Sequence, residues 1–576
     1  MLSSLLAFRF SVGAAFGLSL FIWTINSARS EVKPAVTNSL FTHVNGRLDG
    51  SCSSGICKIT GGTSSGRNLF HRFKVFDTRG GIEGVEFDSF GKDNLIIAVT
   101  APKGSFIDKS IGLSSSANLF WLSPGGIHLD QGSSFINSPN LILSTANSLQ
   151  FGNGSFDVFR SQPSAISSLT GIPLSASAGL GIDPGSDEVG VVNGSGIYLD
   201  GIDLAIDESL YIDAINDSLT LRNSVLSLDS SEGDAGSITL TGKSVDLKGE
   251  SRLFARGAKS GGLIQVGGSW QKSDPSVREA TTVSVGLDVV IDASSSLLGD
   301  GGEVVIWSDI ENPDSVTSVA GSLLARGGVN GGDGGRIETS GFHLDVAGID
   351  ISLSSKLPFK NGIWLLDPYD YTLSGSNVTA IEAALSEGTD ITIATSVSSN
   401  PSFTYTDPGS GISTSATIDA DSVSDSTGGT ITLNDEIMVS GSGSGDLTLR
   451  ADKKIILNNN ITNMTGSGDL NLESLEGIEM GSYLSGGATK YSKISWDTNT
   501  SGTVVLASSS SGGLTGVSAS NQIDVSNGSL VLDQAGSTTF PGLITDSFGN
   551  ASLIKRGVGA LNLTGTNTYS GPTVIE

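Results

Sequence analysis

Short runs in which apolar and small polar residues alternate make up most of the chain. Ser237-Ile238-Thr239-Leu240-Thr241, Ser244-Val245-Asp246-Leu247 and Asp390-Ile391-Thr392-Ile393-Ala394 are examples. A period of two is that of a strand with one buried face. Gly, Asn, Asp and Ser cut the runs every few positions and mark turns. The runs also repeat. Gly443-Ser444-Gly445-Asp446-Leu447-Thr448-Leu449 returns as Gly466-Ser467-Gly468-Asp469-Leu470-Asn471-Leu472, an offset of 23 residues. Ala255-Arg256-Gly257 followed by Gly261-Gly262-Leu263-Ile264-Gln265-Val266 returns as Ala325-Arg326-Gly327 and Gly334-Gly335-Arg336-Ile337-Glu338-Thr339. Between them, Gly299-Asp300-Gly301-Gly302-Glu303-Val304-Val305-Ile306 repeats the second half.

Turn-strand units with a period near 20 residues cannot each bury an apolar face, but stacked units can. The pattern predicts an all-β chain, a parallel β-helix (β-solenoid). At that period the chain supplies on the order of 25 coils. With strands stacked roughly 4.8 Å apart, the rod is on the order of 100 Å long. Asn and Ser at recurrent turn positions can ladder from coil to coil. One segment departs from the pattern. Thr379-Ala380-Ile381-Glu382 reads as a capping box, Ala383-Ala384-Leu385 continues it and Gly388 offers a stop, a helix of about two turns near 379–387.

Composition narrows the class. The 576 residues carry 32 basic and 59 acidic side chains, a net charge of −27, which excludes a basic nucleic-acid-binding face. Phe10 to Ile25 is an apolar run after Arg9, followed by small residues in Asn26-Ser27-Ala28-Arg29-Ser30. It is short for a span and reads as a cleavable secretory signal over residues 1–30. At the other end, Tyr569 to Glu576 stops inside a strand-like pattern, as a fragment or truncated product would. Cys52 and Cys57 are the only cysteines. In an exported chain such a pair is expected to form a disulfide, closing a short local loop.

From the cysteines to residue 160 the chain is less repetitive, and this stretch carries a resemblance. Asn68-Leu69-Phe70-His71-Arg72-Phe73 is similar to an NLFHSF element, and Asn118-Leu119-Phe120-Trp121-Leu122-Ser123-Pro124-Gly125-Gly126-Ile127 to an NxFLxNPxGI element. Together with Phe135 to Ala146 they resemble the N-terminal secretion domain of the filamentous haemagglutinin family, the exported halves of two-partner secretion systems. Ser123-Pro124-Gly125-Gly126 departs from the family's Asn-Pro-Asn-Gly, but Ser123 can still bond the turn and Gly125 permits a positive φ. Gly362 to Asp370 and Gly299 to Trp307 look like recurrent elements of the same family's rods. Leu553 to Gly571 is similar to the autotransporter-associated β-strand repeat of long passenger proteins.

The resemblance implies a right-handed parallel β-helix (β-solenoid) with an N-terminal secretion-domain cap, and a division of the chain. It comprises a signal at 1–30, a two-partner secretion domain at 31–165, haemagglutinin-like β-helix repeats at 166–375, further coils at 376–545 and a passenger-type repeat at 546–576. It implies export by an outer-membrane barrel bearing POTRA domains, and a secreted, adhesin-like rod at the surface of a Gram-negative-type cell. The surface or carbohydrate/protein ligand is unknown. The motif residues Asn68, Leu69, Phe70, His71, Phe73, Asn118, Leu119, Phe120, Pro124, Gly126 and Ile127 would then serve secretion.

No cofactor, metal site or catalytic residue is expected. No two of His43, His71, His128 and His343 have metal-ligand spacing. Gly441-Ser442-Gly443-Ser444-Gly445 fits a nucleophile-elbow pattern only literally, since it lies between strands. Asp200, Asp203, Asp207, Asp213 and Asp217 crowd one stretch. They could serve a polysaccharide-cleaving β-helix, which would make the chain an enzyme, but they read first as a solvated acidic face. Trp121, Trp270, Trp307 and Trp364 lie in strand runs and read as packing residues before sugar platforms. An autotransporter passenger, or a stalk for a toxin domain, would carry the same repeat pattern.

Overall fold

The computed structural model describes residues 30–576 except 36–37, 172, 174–181, 184–195, 396–401, 407–412, 418–427, 441–444, 465–467, 498–501, 511 and 548. All of the signal segment at 1–30 except Ser30, and most of the Gly441–Gly445 pattern, lie outside the described residues. In the rest, alternation becomes a parallel β-helix with three strand faces per coil. The first face is unbroken. Seventeen strands, from Asn68–Asp77 to Thr573–Ile575, pair in parallel one after another. Their register stacks one inward column, Leu69, Leu95, Leu119, Leu141, Leu210 and Ile238, which runs on through Trp364 to Leu553. Every one of these side chains belongs to the single main core. Each coil thus buries what it could not bury alone.

Seventeen strands on this face are fewer than the expected 25 coils. The coils are longer than 20 residues because corner loops and insertions lengthen them. The register moves from Leu69 to Leu95, but from Ile264 to Val304 and from Leu141 to Leu210. The repeats seen in the sequence are structural neighbours. Leu447 pairs with Leu470, so the 23-residue offset is one coil. Gly262, Gly302 and Gly335 occupy one corner of three successive coils. A Cβ on Gly302 would lie 2.0 Å from the carbonyl oxygen of Gly262, and one on Gly335 would lie 2.1 Å from that of Gly302.

Other elements close the stack. Val32–Pro34, Thr42–Val44 and Thr63–Ser65 pair antiparallel at its N-terminal end, which covers edges that would otherwise be free. Cys52 and Cys57 are bonded there, with Cα atoms 5.7 Å apart. The helix runs over Ser376–Ser386 and begins three residues before the expected capping box. Gly375 is its N-cap, so Thr379 lies inside the first turns, and Glu382 accepts the Met438 N–H from across the coil instead of capping. Gly388, at φ +89°, ends it as expected. The helix stands between the third-face strands Asp350–Ser352 and Ile437–Val439, and its Val378, Ile381 and Leu385 join the main core. It interrupts one face while the first face continues.

Before the first-face strands of the later coils, aspartates form a ladder. Asp390 Oδ1 accepts the Asp446 N–H at 3.0 Å, Asp446 Oδ1 the Asp469 N–H at 2.7 Å, and Asp469 Oδ1 the Thr503 N–H at 2.7 Å. Burial raises the pKa of Asp390. Burial, then the Asp390 charge, raises that of Asp446. A raised carboxyl binds protons more tightly in the folded state, so its contribution is fully present below the unfolded pKa and lost as pH rises. Asp446→Asn keeps the acceptor oxygen and removes the repulsion. It is expected to raise stability at pH 7 by up to about 1 kcal/mol and to shrink the gain on acidification. Denaturant melts at pH 7 and 4.5 check both.

Candidate functional site

The two motif segments meet on the first face. Asn68, Asn94, Asn118 and Asn140 begin four consecutive strands, and their side-chain amides form a chain. Asn94 donates to Asn68 Oδ1, Asn118 to Asn94 Oδ1 and Asn140 to Asn118 Oδ1, each at 2.9 Å. Asn68 closes the upper end by donating to the carbonyls of Leu169 and Gly171, both at 2.8 Å. At the lower end Asn140 donates to Glu208 at 2.7 Å. Every rung is a satisfied buried or half-buried amide. Asn94 and Asn140 were not among the motif residues. The signal for them is an Asn-Leu pair recurring at 68, 94, 118 and 140.

After the asparagines, side chains alternate between two cores. Leu69, Phe73, Leu119 and Trp121 point into the helix. Phe70, Phe120, Leu122 and Ile142 point outward, yet are buried, because residues 146–171 fold over the sheet. That cover contains the hairpin Ser148–Phe151 and Gly154–Asp157 and a one-turn helix, Pro163–Ile166. Phe70 packs between Phe151 and Phe156, ring centroids 5.8 and 5.1 Å away.

Arg72, missed at the motif level, clamps the cover. Its buried guanidinium donates to the carbonyls of Ser161 and Asp157 at 2.9 Å and of Asn38 at 3.3 Å, with Phe156 beneath it. Burial brings its pKa down to about 10, opposed by Asp157, so it stays charged at neutral pH.

His71 faces inward against Phe73 and Phe87. Thr42 Oγ1 donates to the Ser39 carbonyl and lies 3.1 Å from His71 Nδ1. This assigns the ring proton to Nδ1, donating to Thr42, and leaves Nε2 without a partner in the apolar core. Burial, then the neighbouring His43, brings the His71 pKa down to about 3. The unfolded chain therefore binds the extra proton between about pH 6.5 and 3. Its contribution is complete above that window and lost at about 1.4 kcal/mol per pH unit on descending through it. From pH 7 to 5 the loss is about 2 kcal/mol. His71→Phe should flatten the slope in urea melts.

The second motif ends in a turn. The Gly126 N–H donates to the Ser123 carbonyl at 2.9 Å, and Ser123 Oγ to the Gly126 carbonyl at 2.8 Å. The serine makes the expected turn bond. The positive φ belongs to Gly126, at +108°, and not to Gly125. Gly125 is required for closeness, since its Cβ would lie 2.1 Å from the Ala101 carbonyl oxygen of the preceding coil. Pro124 sits in this turn, and Ile127 opens the next strand, Ile127–Asp130. Trp121 donates to Ser105 Oγ at 2.9 Å, and Ser105 to Ser123 Oγ at 3.0 Å, which ties the strand to its own turn.

The acidic stretch does not converge. Asp200 pairs with Arg222, while Asp203 and Asp207 are exposed, and Asp217 bonds the Ser218 N–H. Asp213 alone is buried, accepting from Thr241 at 3.0 Å. Trp121, Trp307 and Trp364 are fully buried, and Trp270 lies partly buried with Arg336 over its ring.

A family model of the TPS secretion domain matches residues 44–283. A second, the passenger-associated-transport repeat, matches residues 553–576. No curated protein matches the chain. A TPS domain implies a partner outer-membrane transporter, and with the passenger-type repeat it indicates a secreted protein. The asparagine ladder, the motif strands and their cover all fall within the first match, so the chain has a TPS secretion domain at its N-terminal end, a passenger-associated-transport repeat at 553–576, and the character of a two-partner-secreted exoprotein.

Proposed function

We propose that the chain leaves the cell through a POTRA-bearing barrel and folds outside into an extended β-helical rod for surface or cell contact. The observation that carries this reading is the continuity of the TPS region with the rest of the first face. Sixteen steps at roughly 4.8 Å give an axial run of roughly 75 Å. A chain entering as an unfolded strand can add to the sheet edge of a periplasmic domain. Each coil completed outside buries apolar surface and favours further passage. The motif residues at 68–73 and 118–127 are the proposed secretion determinants, and no catalytic role is assigned.

Secretion in a Gram-negative host tests the proposal. The full chain is expressed with and without the partner barrel, and protease-resistant protein is measured in the medium. Export is expected only with the barrel. Asn68→Ala, which removes both donors to the cover and one rung, should reduce it several-fold. The purified variant's refolding reports separately on stability. Export without any barrel, or retention in the periplasm with the correct one, defeats the reading.

A further inference from the structure

Three stacked corner loops carry large apolar side chains into solvent. Leu297 is 50% exposed, Leu298 57%, Val329 64%, Leu357 89% and Phe359 41%. They come from successive coils, yet they form one patch. A Cβ on Gly331 would lie 2.8 Å from the Phe359 ring and 3.8 Å from Leu298 Cδ1. The loops are bonded to each other through backbone, with Asn330 N–H on the Leu297 carbonyl at 2.9 Å and Gly299 N–H on the Gly331 carbonyl at 2.7 Å. The tips are therefore held in place before any partner arrives.

Charge surrounds this patch in an unusual way for a chain of net −27. Lys259, Arg326, Lys356 and Lys360 are exposed on the same loops and the one before them. The nearby Asp300 and Asp333 are engaged with backbone. Asp300 Oδ1 accepts the Asp333 N–H at 2.8 Å, and Asp333 Oδ1 the Lys360 N–H at 2.9 Å.

We infer that these loops are a docking site for an anionic lipid surface. Apolar tips of Leu, Val and Phe enter the headgroup boundary while the flanking cations meet lipid phosphates. Charge complementarity favours lipid over a protein partner. The exposed tips also include no Trp or Tyr, the aromatic anchors of a protein interface. Because the loops stack along the helix axis, docking lays the coils side-on to the bilayer. The inference rests on the surface-contact reading and deepens it by naming the surface.

Flotation with vesicles tests it. The purified chain is mixed with vesicles of equal parts phosphatidylcholine and phosphatidylglycerol, or of phosphatidylcholine alone. Binding is expected to the anionic vesicles and to weaken in high salt. Leu357→Ser with Phe359→Ser should weaken it about tenfold or more, and Lys356→Gln with Lys360→Gln should weaken it and reduce its salt dependence. The basic pair is exposed, so it reports even if the apolar pair disturbs folding. Equal binding to both vesicles, no binding, or unchanged binding by both variants overturns the inference. So does a chain that self-associates through these leucines without floating. Adhesion to cells without flotation would overturn the lipid assignment and leave the surface-contact reading intact.

Discussion

Gly335→Ala is expected to cost at least about 3 kcal/mol and to open the stack locally. The new Cβ would sit 2.1 Å from the Gly302 carbonyl oxygen and 2.7 Å from the Gly301 carbonyl carbon. Both are backbone, so no side chain can swing aside. The neighbouring positions repeat the constraint, since a Cβ on Gly362 would lie 2.0 Å from the Gly335 carbonyl oxygen. Coils must separate at this corner, and the strand Arg336–Gly341 that follows loses register with Glu303–Trp307. Denaturant midpoints, with protease cutting near residue 335, read the effect. Gly152→Ala is the control, because nothing lies within 4 Å of its Cβ. Equal midpoints for the two variants would refute the close-contact argument.

Arg72→Ala should detach the cover over residues 146–171. Three carbonyls lose a charged donor, leaving Ser161 with only the Asn38 amide and Asp157 with the Ser161 N–H, and the ring of Phe156 loses the cation above it. A cost of about 3 kcal/mol is expected, from the loss of the charge-assisted hydrogen bonds and of the side chain packed under the cover. Arg72→Lys should recover little, because a single ammonium cannot reproduce the planar fork. The readout is specific. The outer faces of Phe70, Phe120 and Ile142 would become accessible, so dye binding should rise and proteases should cut at residues 152–162 before the β-helix unfolds. A uniform loss of stability without early cutting would mean that the cover is held mainly by its apolar contacts.

The inward half of the fold was legible because its period is simple. Leu447 and Leu470 could be paired from the repeat alone, and the stacking of the glycine corners follows from the same arithmetic. The outward half was not. Asn94-Leu95-Ile96-Ile97-Ala98-Val99 is buried at every position, the mark of a sheet covered on both sides. Reading for alternation passes over such a run, and the cover itself has only short elements that no periodicity announces. The helix start failed for a related reason. Thr379 and Glu382 have capping chemistry, but Gly375 and the Asp435 carboxylate, which accepts the Gly375 N–H at 2.7 Å, come from different coils. The asparagine ladder was foreseen in kind, and its members were written in the four Asn-Leu pairs. Arg72 was hidden because its partners lie 34 to 89 residues away.

The interruption at Ser376–Ser386 has a mechanical consequence. Hydrogen bonds between coils run along the stacking axis, so a pull on the two ends loads them in series. At most levels three ladders share that load. Between the coil of Arg336–Gly341 and the coil of Ile363–Pro368, among the described residues, only the first face has a strand ladder that crosses. The second face ends at His343–Asp345 and restarts at Tyr371–Leu373, and the third passes through the helix. Under tension this level is the weakest within the stack, since only the terminal step to Thr573–Ile575 is also crossed by a single ladder. An exoprotein stretched between two surfaces would part there first, into two lengths of intact coils.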